Sequence, residues 1–177
     1  EFDDVFRNFA KKFDFDWKLL ASLSYEESRF DPDALTAAKG RGLFGMLPKR
    51  ARKFGIKVLA DPVQATHAAA SHLSALRGYF EDINAPDARL KFMLASFQAG
   101  VEHVDDARLL ASQQSLDADD WQEVGKMLPL LSLKRYASKA RHGFIQGHAT
   151  VQYVDSVWER YRAYGHALGV RDASKVQ

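Results

Sequence analysis

Apolar residues recur every three or four positions along nearly the whole chain, and almost nowhere every second position. Phe2, Phe6, Phe9 and Phe13 set the pattern at the start. At about 100° per residue this spacing gathers them on one face of a helix, whereas a half-buried strand needs strict alternation. Local stop and start signals divide the pattern. A first helix is expected from Asp3 to Phe13, and Asp16 is a natural cap for a second. Pro48 suits the first turn of a short helix that stops at Gly55, and Asp61-Pro62 opens a long one to about Ile83, with Ala69, Leu73, Leu76 and Phe80 on one face. Asn84-Ala85-Pro86 restarts the chain into Leu90, Met93, Leu94 and Phe97, ending at Gly100. Further helices are expected from Val101 to about Ala111, from Trp121 to Met127 before Leu128-Pro129, and from about Phe144 to Leu168, whose stripe is Val151, Val154, Val157, Trp158 and Tyr161. Residues 31–47 read as a glycine-containing loop and 112–120 as a polar one. The result is an all-α domain of roughly seven to nine helices over residues 1–170, with 171–177 as a frayed tail.

Composition narrows the function. The 177 residues suffice for one domain with a sizeable core, and 46% hydrophobic with 12% aromatic content rules out a disordered chain. The 25 basic and 23 acidic residues leave a net charge of +2 and read as interspersed, with no basic block to indicate a nucleic-acid partner. The absence of cysteine excludes a disulfide framework and thiolate-bound metal. No apolar run approaches the length that spans a bilayer, and no signal peptide is present. A start at Glu1 reads as a processed or excised piece, so any export signal, anchor or further domain is expected outside it.

One polar stretch stands out against this background: Ser24-Tyr25-Glu26-Glu27-Ser28-Arg29-Phe30-Asp31-Pro32. Pro32 disfavours the α conformation at Asp31, so the helix that contains Trp17, Leu19, Leu20 and Leu23 should end by Asp31. On the helical wheel Leu20 and Leu23 bracket Glu27, while Glu26 falls roughly 100° away. Glu27 is therefore expected to face inward, where burial disfavours its charged form and raises its pKa. A glutamic acid that keeps its proton near neutral pH is what a general acid requires. The plainer reading is a solvated helix-end glutamate. The six histidines (His67, His72, His103, His142, His148 and His166) form no i, i+4 zinc pair and read as surface or packing residues. No serine elbow or phosphate-cradling loop occurs, and Gly40, Gly42 and Gly45 by themselves indicate only tight turns.

Four motifs in order carry a resemblance: Glu27-Ser28, then Gly42-Leu43-Phe44-Gly45-Met46-Leu47-Pro48, then Ala95-Ser96-Phe97-Gln98-Ala99-Gly100, then Tyr153-Val154. They resemble the E-S, G-L-M-Q-x-x-P, A-Y-N-x-G and late Y-V pattern of the soluble lytic transglycosylase family. Asp105-Asp106-Ala107-Arg108, Trp121, Leu128-Pro129-Leu130-Leu131-Ser132 and Gly147-His148 read like a membrane-bound branch of that family, so the likeness covers roughly residues 14 to 165. It implies a lysozyme-like helical domain with a substrate cleft, acting on peptidoglycan glycan strands. The implied reaction cuts the β-1,4 bond from N-acetylmuramic acid to N-acetylglucosamine and leaves a 1,6-anhydro ring, with no metal or organic cofactor. By position, Glu27 is the implied acid and then base. Ser28, Leu43, Phe44, Met46, Gln98, Tyr136 and Tyr153 are the implied substrate-binding residues. The plainer reading of Ser28 is an ordinary helix-end hydroxyl, that of Leu43, Phe44 and Met46 is core, and that of Tyr136 is packing. The implied location is the periplasm of a Gram-negative bacterium, with outer-membrane association through parts outside this chain.

The chain also departs from the pattern. Gly45 stands for a glutamine, Gln98 for an asparagine, Phe97 for a tyrosine, and Ala149 for a glutamate before the Tyr-Val pair. These leave the acid intact and bear on substrate positioning. A water-using muramidase, a non-catalytic peptidoglycan-binding domain and a helical interaction module with no sugar site are the competing readings.

Overall fold

The computed structural model describes the backbone of residues 1–173 and the side chains of residues 1–167. Nine α-helices and no strand occur among the described residues. They are α1 (Asp3–Phe13), α2 (Trp17–Ser28), α3 (Pro48–Arg52), α4 (Pro62–Tyr79), α5 (Pro86–Ala99), α6 (Val101–Gln113), α7 (Trp121–Met127), α8 (Lys134–Ala137) and α9 (Gly147–Ala173), with a 3-10 turn over Leu128–Ser132. The contacts divide the chain into two compact units, one made of Glu1–Ser74 with the chain from Ser156 onward, the other of Ala75–Asp155.

In the first unit α1 packs against α2. Phe6, Leu20, Leu23, Leu43, Phe44 and Leu73 are fully buried. The Phe6 ring meets Phe44 edge-on at 5.8 Å and lies 6.4 Å from Phe30, so helix α1 and the loop after α2 share one aromatic core. His67 stacks on Phe9 at 5.2 Å, a packing role as expected. Asp16 caps α2 by accepting the Lys18 N–H at 3.0 Å. The segment 31–47 folds back as a hairpin without a regular strand, through the isolated pairs Leu35–Arg41 and Arg41–Met46. Glycine is required at its base: a Cβ on Gly42 would lie 1.9 Å from the Leu59 carbonyl oxygen, and φ there is +71°. The backbone from Lys57 to Ala60 can therefore lie directly against the hairpin only because position 42 has no side chain.

The second unit is built around Phe80, Ile83, Phe92, Leu94, Leu128 and Leu131, all fully buried. Phe92 meets Phe80 at 5.7 Å and Trp121 edge-on at 5.4 Å. Tertiary hydrogen bonds move two boundaries away from the sequence expectation. Helix α4 ends at Tyr79, not near Ile83, because the carbonyls of Ile83 and Glu81 are turned toward the Arg89 guanidinium, at 2.7 and 3.4 Å. Helix α9 begins at Gly147, not Phe144, because the Ser132 hydroxyl donates to the Ile145 carbonyl (2.7 Å) and accepts the Gly147 N–H (3.1 Å). Both bonds hold the preceding residues outside the helix. At its far end α9 runs to Ala173, into the stretch expected to fray, and residues 174–177 lie outside the described residues. The loop before α9 is pinned by Asp106, a buried carboxylate that accepts the N–H groups of Arg141 (3.1 Å) and His142 (2.8 Å).

Candidate active site

Helix α2 stops at Ser28, and the chain then turns through two successive non-glycine residues in the left-handed region, Arg29 (φ 55°) and Phe30 (φ 66°). Each costs on the order of 1–2 kcal/mol. The Arg29 N–H closes on the Tyr25 carbonyl, and the Phe30 ring packs edge-on against Tyr25 at 5.6 Å, which offsets the strain. This turn carries the chain into the hairpin, so the last turn of α2 and the hairpin meet at Glu27.

Glu27 is half-buried. Its carboxylate rests on the bare α-carbon of Gly45: a Cβ there would lie 2.6 Å from Glu27 Oε2 and 3.1 Å from Thr36 Cγ2. Gly45 also takes φ +52°, a conformation that side chains disfavour. The position at which the motif has a glutamine is therefore, in this chain, where the acid itself sits. The hairpin is held there from both sides. Arg41 and Met46 exchange backbone hydrogen bonds at 3.0 and 3.1 Å, and the Ser28 hydroxyl lies 2.9 Å from the Leu43 carbonyl. Ser28 also lies 3.0 Å from the Ser24 carbonyl. Both partners are acceptors, so the one hydroxyl proton is engaged within the protein and only lone pairs remain for a ligand.

Glu26, the neighbouring acid, is also half-buried, contrary to the wheel's expectation that inward orientation separates the two. Glu26 is paired with two arginines. Glu26 Oε2 lies 3.3 Å from Arg160 and 3.7 Å from Arg29, and both guanidinium groups cover the Tyr25 ring, at 3.9 and 4.2 Å. Glu26 thus sits inside a cation–aromatic cluster. Sequence reasoning missed Tyr25, Arg29 and Arg160. Arg160 stands 134 positions from Glu26, and no local pattern joins them.

The other expected site residues divide between the two units. Leu43, Phe44 and Met46 belong to the first, at 0%, 1% and 3% exposure, which makes them core side chains rather than the walls of a cleft. Gln98, Tyr136 and Tyr153 belong to the second. Gln98 is exposed, and its amide oxygen accepts the hydroxyl of buried Thr150 at 2.9 Å, tying the end of α5 to the start of α9. Tyr136 is half-buried beneath the Arg135 guanidinium (4.8 Å) and lines a small cavity of about 150 Å³ with Asp106 and Leu131. Tyr153 is half-buried on α9.

The family model of the transglycosylase SLT domain matches residues 4–120. This chain belongs to the transglycosylase SLT domain family. Glu27 and Gln98 lie inside the matched region of the SLT domain, and Tyr136 and Tyr153 lie beyond it. Among its relatives, membrane-bound lytic murein transglycosylase F of Cellvibrio japonicus is 34% identical over 157 residues, which is 89% of this chain and 32% of that protein. The protein of the same name from Maricaulis maris is 39% identical over 160 residues, covering 90% of this chain and 35% of its own length. The SLT domain described here thus spans about a third of the length of the curated relatives it matches. An inactive mutant of lytic transglycosylase Slt from Pseudomonas aeruginosa superposes with a TM-score of 0.66 at 19% identity, over 94% of this chain and 24% of that one, which shows the shared fold. No described helix is long and apolar enough to cross a membrane.

Proposed function

We propose that the domain is a peptidoglycan lytic transglycosylase in which Glu27 alone moves the proton. Its carboxylic acid donates to the oxygen between N-acetylmuramic acid and N-acetylglucosamine as the C1–O bond breaks. The resulting carboxylate takes the proton from the muramic acid 6-hydroxyl as that oxygen closes on C1. The product carries a 1,6-anhydro ring and Glu27 returns to its acid form, so no water is consumed. The scheme differs from that of ordinary glycosidases, which use a second carboxylate to activate water or to attack the sugar.

The observation that carries this reading is the Glu27 carboxylate resting on Gly45, at the junction of helix end and hairpin, in the first motif of the matched family. Glu26 cannot substitute easily, because its charge is committed to two arginines. Ser28 supports the acid by fixing the hairpin. Gln98, Tyr136 and Tyr153 are proposed glycan contacts on the strength of the motifs in which they stand. The murein specificity named for the relatives, a periplasmic location and association with the outer membrane through parts outside this chain belong to the same proposal. The test is digestion of purified peptidoglycan by the wild type and Glu27→Gln. Anhydro-muropeptides from the wild type alone support the lyase; reducing ends indicate a water-using muramidase. Glycan binding without any product in either protein indicates a binding domain.

A further inference from the structure

The even mixture of charges expected from the totals does not hold locally. From Ala34 to Ala60 the chain has seven basic residues and no acidic one, although its net charge is only +2. Lys39 and Arg41 lie on the hairpin, Lys49, Arg50, Arg52 and Lys53 on α3 and the turn after it, and Lys57 on the segment packed against the hairpin. Apart from Arg50, all of these side chains are exposed. None of the exposed ones pairs with an acidic side chain among the described residues. Their field reaches inward: His72 is pushed down to about 4 by burial first and then by Arg50 and Lys53.

This basic surface is not convex. Two adjoining hollows of about 380 and 370 Å³ share Pro48, Lys57 and Leu59. The first is completed by Arg41, Gly42 and Val58, with Asp33 as its one acidic neighbour, and the second by Ala51, Arg52 and Ile56. Their size is that of small-ligand sites, and their walls are short and aliphatic with cations at the edge. No aromatic ring lines either hollow, so nothing is present on which a nucleobase could stack. A concave, cation-edged, aliphatic surface suits an extended chain whose carboxylates sit on short apolar arms, which is the chemistry of a short acidic peptide. The hollows also stand next to the proposed acid. Arg41 lines the first hollow and pairs through its backbone with Met46, and the residue before Met46 is Gly45, on which Glu27 rests.

We propose that these paired basic hollows hold the carboxylates of the acidic peptides carried by peptidoglycan strands, so that the domain selects peptide-bearing glycan over denuded glycan. This rests on the proposed function for its substrate. The test measures binding by Glu27→Gln, and turnover by the wild type, on peptide-bearing strands and on the same strands after amidase removal of the peptides. The expected result is at least tenfold tighter binding and preferential turnover of the peptide-bearing strands. In Arg52→Glu/Lys57→Glu that preference should fall to near one, while Arg52→Lys/Lys57→Arg should keep it. Equal binding of both strands by the parent protein overturns the proposal. So does a charge reversal that abolishes binding to phosphatidylglycerol vesicles and leaves the glycan preference intact, since the surface then serves a membrane. The two readings fail separately. Anhydro products formed equally from both strands leave the lyase standing without a peptide site. A peptide preference in binding with no product from either strand leaves the peptide site without the lyase.

Discussion

At the residue scale, two adjacent glutamates of similar burial have different surroundings. Glu26 is neutralised by Arg29 and Arg160, and Glu27 lies against a residue with no side chain. Glu27→Gln should therefore lower lytic activity by about 10²-fold or more, the usual contribution of a general acid–base group, with an unchanged unfolding midpoint. Gly45→Ala adds a methyl group 2.6 Å from Glu27 Oε2 at a backbone φ of +52°. It should cost about 1–2 kcal/mol in urea unfolding and reduce turnover by displacing the acid. Sequence legibility at this scale was uneven. The wheel favours Glu27 for an orientation that Glu26 largely shares, and Arg160, the partner of Glu26, lies far along the chain. For Leu43, Phe44 and Met46 the plainer of the two readings, core, is the one the burial supports. An apolar run gives no sign of whether a neighbour or a ligand will cover it.

At the element scale, the hairpin that presents Gly45 depends on close backbone approach. A Cβ on Gly42 would strike a carbonyl oxygen of Leu59 at 1.9 Å, and main chain cannot swing aside as a side-chain tip can. Gly42→Ala should therefore destabilise by on the order of 3 kcal/mol, read as a lower urea midpoint. Gly165 gives the opposite expectation. It lies within α9 with nothing within 4 Å of an added Cβ, so Gly165→Ala should stabilise by about 0.5–1 kcal/mol. Helix starts were legible because their signals are local: Asp16 accepts the capping N–H, and Pro48 and Pro86 each open a helix. Helix α9 and the end of α4 were misjudged because Ser132 and Arg89 decide them, through bonds that exist only once the second unit has folded.

At the scale of the whole molecule, composition totals concealed a segregation of charge: the stretch next to the proposed acid is uniformly basic, so the remainder is net acidic. One consequence is measurable in folding. His72 titrates near 4 in the native state, below its ordinary 6.5, through burial and then Arg50 and Lys53. As pH falls below about 6.5 the unfolded chain takes up this proton and the native state does not. Stability should drop between pH 6.5 and 4, by roughly 3 kcal/mol at most, and be unaffected by this group above that window. In His72→Leu that portion of the slope should vanish from urea midpoints measured against pH. What the acid does to a glycan strand is recorded directly in the product ends. Mass spectrometry of peptidoglycan digested by the wild type should find 1,6-anhydro-muramic ends, with none released by Glu27→Gln; reducing ends, or anhydro ends that persist in Glu27→Gln, would contradict it.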